Sequence, residues 1–287
     1  MTLDRRTFLA SGLTTAFVVA CGGDSATADI RPDRLGVRFP DGIQAPSVAV
    51  AQSAPQRFPF VVIADDGFPM TAANAPEAIQ VDLRFQGDVL DTLTIPRRGS
   101  GQVIPFYPLV FTPEQPGRYV VNASFSDLNV EFAVLDRAEV SLFQVGDQLP
   151  GFDTPTFDDE RGVTPVCTRS EPCPFHEITL AEALGNGRPT ALMISTPGFC
   201  TTDVCGPSLE HLIEASEGRR DVNFVHAEVF ADPRAPAGQF PELAPIITAW
   251  ELDFEPSLFV ADADGTIVQA LHFAFDRDET IEAVGLI

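Results

Sequence analysis

Short runs of alternating, β-branched or aromatic residues recur along the first half of the chain: Arg57–Ala64, Ile79–Phe85, Val89–Ile95, Val103–Val110, Arg118–Phe125 and Asn129–Leu135. Turn formers separate them, among them Asp65-Asp66-Gly67, Arg97-Arg98-Gly99 and the stretch from Pro113 to Gly117. This punctuation predicts antiparallel strands. About seven such strands over residues 35–138 predict an all-β sandwich. Past residue 138 the period changes. Ala191–Ser195, Asp221–Val229, Ser257–Ala261 and Thr266–Phe273 read as strands, with helical spacing in Pro207–Gly218, Glu242–Glu251 and Asp278–Val284. Strand, helix, strand, helix, two hairpin strands and a helix predict a mixed α/β sheet over residues 139–287. Asp262 to Gly265 is the expected hairpin turn.

The chain start has a different pattern. Arg5-Arg6-Thr7-Phe8-Leu9 is followed by an uncharged apolar and small-residue run from Leu9 to Ala20. That run is about 12 residues, too short for a helix crossing a bilayer core of roughly 30 Å. Residues 1–20 therefore read as an export signal. The twin arginine resembles signals for export of folded proteins, and Val18-Val19-Ala20-Cys21 resembles a bacterial lipobox. The resemblance implies lipidation at Cys21, a tether over residues 21–34, and an extracytoplasmic protein of the cell envelope anchored to the membrane by lipid. In the sandwich region, Pro116-Gly117-Arg118-Tyr119-Val120-Val121 resembles the turn-then-tyrosine approach to a late strand of immunoglobulin-like domains. Such a domain is expected to act as a spacer.

Composition narrows the chemistry. The formal charge is −23, and all 18 basic residues are arginine. An acidic chain does not suit phosphate neutralisation, so nucleic acid is not an expected partner. The missing lysine excludes Schiff bases and a P-loop ammonium. Residues 35–138 hold 7 arginines against 11 acidic residues (net −4), and residues 139–287 hold 7 against 26 (net −19).

Five cysteines is an odd number. With Cys21 assigned to lipid, four remain as two local pairs, Cys167/Cys173 and Cys200/Cys205. The second follows a predicted buried strand and precedes a helix whose first residues include Pro207. A helix start offers unpaired N–H groups and the positive end of the dipole, which favour a thiolate. A nearby second cysteine can resolve a mixed disulfide. Here the chain resembles the thioredoxin-like superfamily over roughly residues 145–285. The resemblance rests on Val145 to Phe152, on the strand–Cys–helix unit, and on Glu255-Pro256-Ser257-Leu258-Phe259-Val260-Ala261-Asp262. It implies a cis bond before Pro256 facing the cysteines.

Three features depart from that family. The spacing is C-x4-C rather than C-x-x-C, and in a continuous α-helix residues five apart have Cα atoms about 8.7 Å apart. A disulfide requires less than about 7 Å, so a loop must precede Gly206 if the pair is to bridge. Ile194 stands where thioredoxins keep a buried carboxylate. Asp203, between the cysteines, opposes thiolate formation.

The expected activity is a membrane-anchored thiol–disulfide oxidoreductase. Cys200 attacks a substrate disulfide and Cys205 resolves it, with Thr196, Pro197, Phe199, Glu255, Pro256 and Ser257 binding substrate. No cofactor is required. The partners are protein thiols or disulfides and an unidentified redox partner. The alternative is a non-enzymatic envelope lipoprotein whose disulfides only stabilise a scaffold.

Two further resemblances are weaker. Q-type peroxiredoxins share C-x4-C, but the threonine is one residue out of place and no arginine stands beside Pro256. The copper-handling Sco branch has C-x3-C with a distal histidine, for which His272 with Cys200 and Cys205 is the candidate. Cys167/Cys173 reads as a structural disulfide in an oxidising compartment. A second redox pair, or cross-pairing with Cys200 and Cys205, remains open. Their spacing does not suit a four-cysteine zinc site. His176, His211 and His226 carry no motif and are expected at surface or packing positions.

Overall fold

A computed structural model describes residues 30–39, 42–44, 50–198, 204–234, 241–252 and 254–287, with side chains in all of these but 37–39, 42–44 and 50–51. The expected signal with Cys21, and also Phe199, Cys200 and Asp203, lie outside the described residues.

The first half holds strands β1 (Pro32–Phe39), β2 (Gly42–Gln44), β3 (Val50–Ala51), β4 (Gln56–Ala64), β5 (Ala78–Phe85), β6 (Asp88–Pro96), β7 (Tyr107–Phe111), β8 (Gly117–Ala123) and β9 (Asn129–Leu135). They make two sheets, ordered β2-β1-β4-β7 and β3-β9-β8-β5-β6. Alternation does what it predicts: Ile79, Val81 and Leu83 of β5 are buried while Gln80 is exposed. These side chains share one core with Phe58, Phe60 and Val62 of β4 and Leu109 of β7, so the two sheets face each other. Strand β1 begins at Pro32, within the segment expected as tether. Strand β7 begins four residues later than expected, because Pro105 cannot donate to a ladder and Val103 points to solvent at 71% exposure.

The second half holds α1 (Leu180–Gly185), β10 (Thr190–Ile194), α2 (Cys205–Ser216), β11 (Asn223–Ala227), α3 (Pro245–Trp250), β12 (Ser257–Ala261), β13 (Ile267–His272) and α4 (Arg277–Val284). The sheet order is β11-β10-β12-β13, with β10 and β11 parallel and the other neighbours antiparallel. Every residue of β10 and β12 is buried, as central strands covered on both faces should be. Helix α1 was not expected, although its start is written in the sequence. Thr179 accepts from the Glu182 N–H (3.0 Å), and Glu182 accepts from the Thr179 N–H (2.9 Å), a capping box. Asp276 and Glu279 form a second one at α4.

The two halves meet at β4. Phe58, Phe60, Val62 and Ala64 point into the sandwich core. The alternate residues Val61 and Ile63 pack with Phe106 against Val204, Cys205 and Ala274 of the second half. Arg57, at the edge of this contact, makes a two-pronged pair with Glu279 (2.8 Å on each oxygen). It also donates to the carbonyls of Ala274 (2.7 Å) and His272 (3.3 Å) and lies over the Phe106 ring. Both side chains of the ion pair are 9% exposed. Nearby, the Gly99 N–H donates to Asp276 (2.9 Å). The strands expected as a spacer thus form a wall of the surroundings of Cys205.

Removing one partner of a buried ion pair strands the other's charge, which costs about 3 kcal/mol or more. Urea unfolding of Arg57→Ala should show a loss of that size. Arg98→Ala, which removes the more exposed pair with Glu282, should cost less than about 1 kcal/mol.

Candidate functional site

Strand β10 delivers the chain from the middle of its sheet toward the second cysteine pair. Beyond Ile194 the backbone is pinned to both neighbouring strands. The Ser195 N–H donates to the Ala227 carbonyl (3.1 Å), and the Val229 N–H donates to Thr196 Oγ1 (3.3 Å). On the other side the Thr196 N–H donates to Glu255 Oε2 (2.6 Å). Glu255 precedes Pro256 across a cis peptide bond, as the resemblance implied. A second cis bond, Thr164–Pro165, was not anticipated. Of the expected substrate-binding residues, Thr196, Pro197, Pro256 and Ser257 are buried, Glu255 is partly exposed, and Phe199 lies outside the described residues.

Cys205 is the first residue of α2 and is 1% exposed. Its position at the helix start places it beside the helix's unpaired N–H groups. Its neighbours Val61, Ile63, Phe106, Val204 and Ala274 close it off from water.

The segment before β10 braces this loop. Gly198 donates its N–H to Thr168 Oγ1 (2.9 Å). The Thr168 hydroxyl and N–H donate in turn to Glu228 (3.1 and 2.5 Å). Glu228 follows β11, is 1% exposed, and burial pushes its carboxyl up to about 8. The sequence comparison sought a buried carboxylate at Ile194, and the structure places a buried carboxyl at Glu228, at the end of the neighbouring strand. A glutamate directly after a run of buried strand residues was the available signal.

The same segment makes a correction. Cys167 and Cys173 are free thiols in this structure, not the expected disulfide. They stand with His176 and His226, and one ligand atom from each of the four residues lies within 4.8 Å of the others. All four are buried, at 3% exposure for Cys167 and 0% for the rest. Cys173 Sγ lies 3.5 Å from His226 Nδ1, and His176 Nε2 lies 3.1 Å from the same nitrogen. The Cys173 N–H donates to Cys167 Sγ (3.4 Å). Hydrogen bonding from Cys173 holds the Cys167 thiol below its usual range, while the same partnership and burial push Cys173 up. Burial lowers His226. His176 and His226, expected at surface or packing positions, are buried and packed; the three-residue step from Cys173 to His176 and the place of His226 in β11 were the signals that they would stand beside the cysteines.

His272 is not part of this cluster. Its Nδ1 pairs with Ser257 Oγ (3.0 Å), and its ring packs against Phe254 and Phe259. Burial, and then the charge of Arg57, push it down to about 3. His211 sits partly buried on α2.

No family model and no curated protein matches the chain. Solved structures do. The structure of MTB dsbF in its mixed oxidized and reduced forms is 17% identical, covering 47% of this chain and 94% of the other, with a TM-score of 0.31. A thiol:disulfide interchange protein of the thioredoxin family from Chlorobium tepidum TLS is 13% identical, covering 49% and 95%, with a TM-score of 0.31. The ZirS C-terminal domain is 16% identical, covering 48% and 94%, with a TM-score of 0.22. At these values the likeness says nothing about activity.

A Cβ at Gly198 would sit 2.6 Å from the Thr168 carbonyl oxygen and 2.8 Å from its Cβ. Gly198→Ala should therefore cost about 1–3 kcal/mol in chemical denaturation. For His272, an unfolded chain binds a proton near 6.5 that the folded state refuses until about 3. Stability should accordingly fall as pH drops from 6.5, by up to about 1.4 kcal/mol per pH unit. Thermal or urea unfolding across pH 4–7 should give a shallower slope for His272→Gln.

Proposed function

We propose that the chain is an envelope thiol–disulfide oxidoreductase of thioredoxin-like fold, tethered by lipid at Cys21, with an immunoglobulin-like sandwich covering its redox end. The observation that carries the reading is the junction at Thr196. The loop leading from β10 to the cysteine pair is tied to Glu255 of the cis Glu255–Pro256 bond, and Cys205 opens the following helix. The strand order β11-β10-β12-β13 supports the thioredoxin-like half. The Tyr119 hydroxyl, which donates to the Gln115 carbonyl four residues upstream (3.0 Å), supports the immunoglobulin-like one. Among the described residues no helix is long and apolar enough to cross a membrane, and attachment through Cys21 needs none.

In this reading the Cys200 thiolate attacks one sulfur of a substrate disulfide, and the other sulfur leaves as a thiolate. Cys205 then attacks the Cys200 sulfur of the mixed disulfide. The substrate's first thiol is released, and the Cys200–Cys205 disulfide forms. Two electrons pass from the pair to the substrate, and a redox partner returns them. A buried resolving thiol at a helix start suits the second step, because only an intramolecular sulfur reaches it. The burial of Cys205 beneath Val61, Ile63 and Phe106 also suits a second reading, in which the pair is a structural disulfide.

Trapping separates the two. Cys205→Ser protein, expressed with its own signal and run on non-reducing gels, should accumulate mixed disulfides through Cys200. Cys200→Ser/Cys205→Ser protein should show none. If the two variants give identical gels under both oxidising and reducing conditions, the oxidoreductase reading fails.

A further inference from the structure

We propose that Cys167, Cys173, His176 and His226 form a buried tetrahedral zinc site, separate from the Cys200/Cys205 pair. Two thiolates and two imidazoles are the donor set that a tetrahedral d10 cation takes. The four donors come from two places in the chain. Cys167, Cys173 and His176 come from the turn-rich segment before α1, and His226 comes from the buried strand β11.

The spacing of the donor atoms fits. Bond lengths of about 2.3 Å to sulfur and about 2.05 Å to nitrogen at tetrahedral angles put two nitrogens about 3.3 Å apart and a nitrogen about 3.6 Å from a sulfur. The structure has 3.1 Å between His176 Nε2 and His226 Nδ1, and 3.5 Å between His226 Nδ1 and Cys173 Sγ. These two separations match those a tetrahedral cation imposes, and all four donor atoms lie within 4.8 Å of one another.

The hydrogen bonds around the two rings point the same way. His226 Nε2 faces the Ser195 carbonyl (3.1 Å), and His176 Nδ1 faces the Pro155 carbonyl (3.4 Å). A carbonyl can only accept, so the tautomers assigned from this network carry their protons on those outer nitrogens. The two inner nitrogens are then both lone pairs, aimed at each other and at a thiol across 3.1–3.5 Å. In this buried site only the thiol protons are placed to meet these lone pairs, and a cation that displaces those protons would be held by both nitrogens and both sulfurs. A backbone carbonyl on the outer nitrogen is also the usual second partner of a metal-bound histidine.

Charge adds a further reason. Two buried thiolates are costly alone, and one divalent cation with two neutral imidazoles brings the site to zero net charge. Loading releases the thiol protons and involves no oxidation. Oxidation of Cys167 and Cys173 to a disulfide would remove two of the four donors, so the reduced protein is the metal-binding form.

The test uses the purified full-length chain, reduced and kept without oxygen, titrated with Co2+ as a spectroscopic probe and then with Zn2+. The expected result is saturation at one equivalent, tetrahedral d–d bands with a sulfur-to-cobalt charge-transfer band, and bleaching on addition of zinc. Cys205→Ser protein should bind as the wild type does, whatever the trapping experiment shows. Cys167→Ser/Cys173→Ser and His226→Gln proteins should lose the bands. Should those variants fail to fold, the wild type still decides: its melting temperature should rise with zinc and fall with a chelator under reducing conditions. Absence of tetrahedral bands in the reduced wild type, bands that survive undiminished in the double-serine variant, or a melting temperature indifferent to zinc would each overturn the assignment.

Discussion

Burial of β4 on both faces is the constraint around which the rest of the molecule is arranged. A strand in a two-layer sandwich ordinarily gives one face to the core and the other to water. Here the outward side chains Val61 and Ile63 are covered by the start of α2 and by Ala274. The apolar contact shields the Arg57–Glu279 pair at its edge, and the pair joins the two halves there. Arg57 donates to carbonyls on either side of Phe273, and the Phe273 ring packs into the sandwich core. Side chains therefore cross the contact in both directions.

Much of this was legible. Strands β9 and β12 match their expected limits, because each is bounded by turn residues and filled with residues that favour a pleated surface. The long-range contacts were not legible. Nothing local in Val61 or Ile63 says that the second face of β4 is covered, because an apolar residue on an outer face looks the same whether it meets water or another unit. The same limit applied to the chemistry. Cys200 and Cys205 stand close together in a recognisable strand–helix setting. The other cluster is assembled from His226 and a segment some fifty residues before it, and only the parallel pairing of β10 and β11, with the chain folded back beside them, brings them together. Ile194 teaches the same lesson from the other side. Ile194 stands at one sequence position, and the buried carboxyl of Glu228 stands just past the end of the adjacent strand, where sequence distance gives no warning.

The segment between residues 153 and 179 thus does more than join two halves. Through Thr168 it holds both Gly198 and Glu228, and through Cys167, Cys173 and His176 it reaches β11. It carries little regular structure of its own, so its shape depends on these polar contacts rather than on a backbone ladder. Thr168, whose hydroxyl accepts from Gly198 and donates to Glu228, is the direct sequence neighbour of Cys167.

The alternation of β4 has a consequence for how this chain can change over time. In a strand with one wet face, half the positions can drift freely, and a one-residue insertion is absorbed by a bulge at the surface. β4 has no such positions. A slip by one residue would send Phe58 and Phe60 toward Cys205 and leave Val61 and Ile63 to fill a cavity shaped for aromatic rings. Its sequence answers to two cores at once, so a strand more than a hundred residues before Cys205 is constrained by the packing around that cysteine.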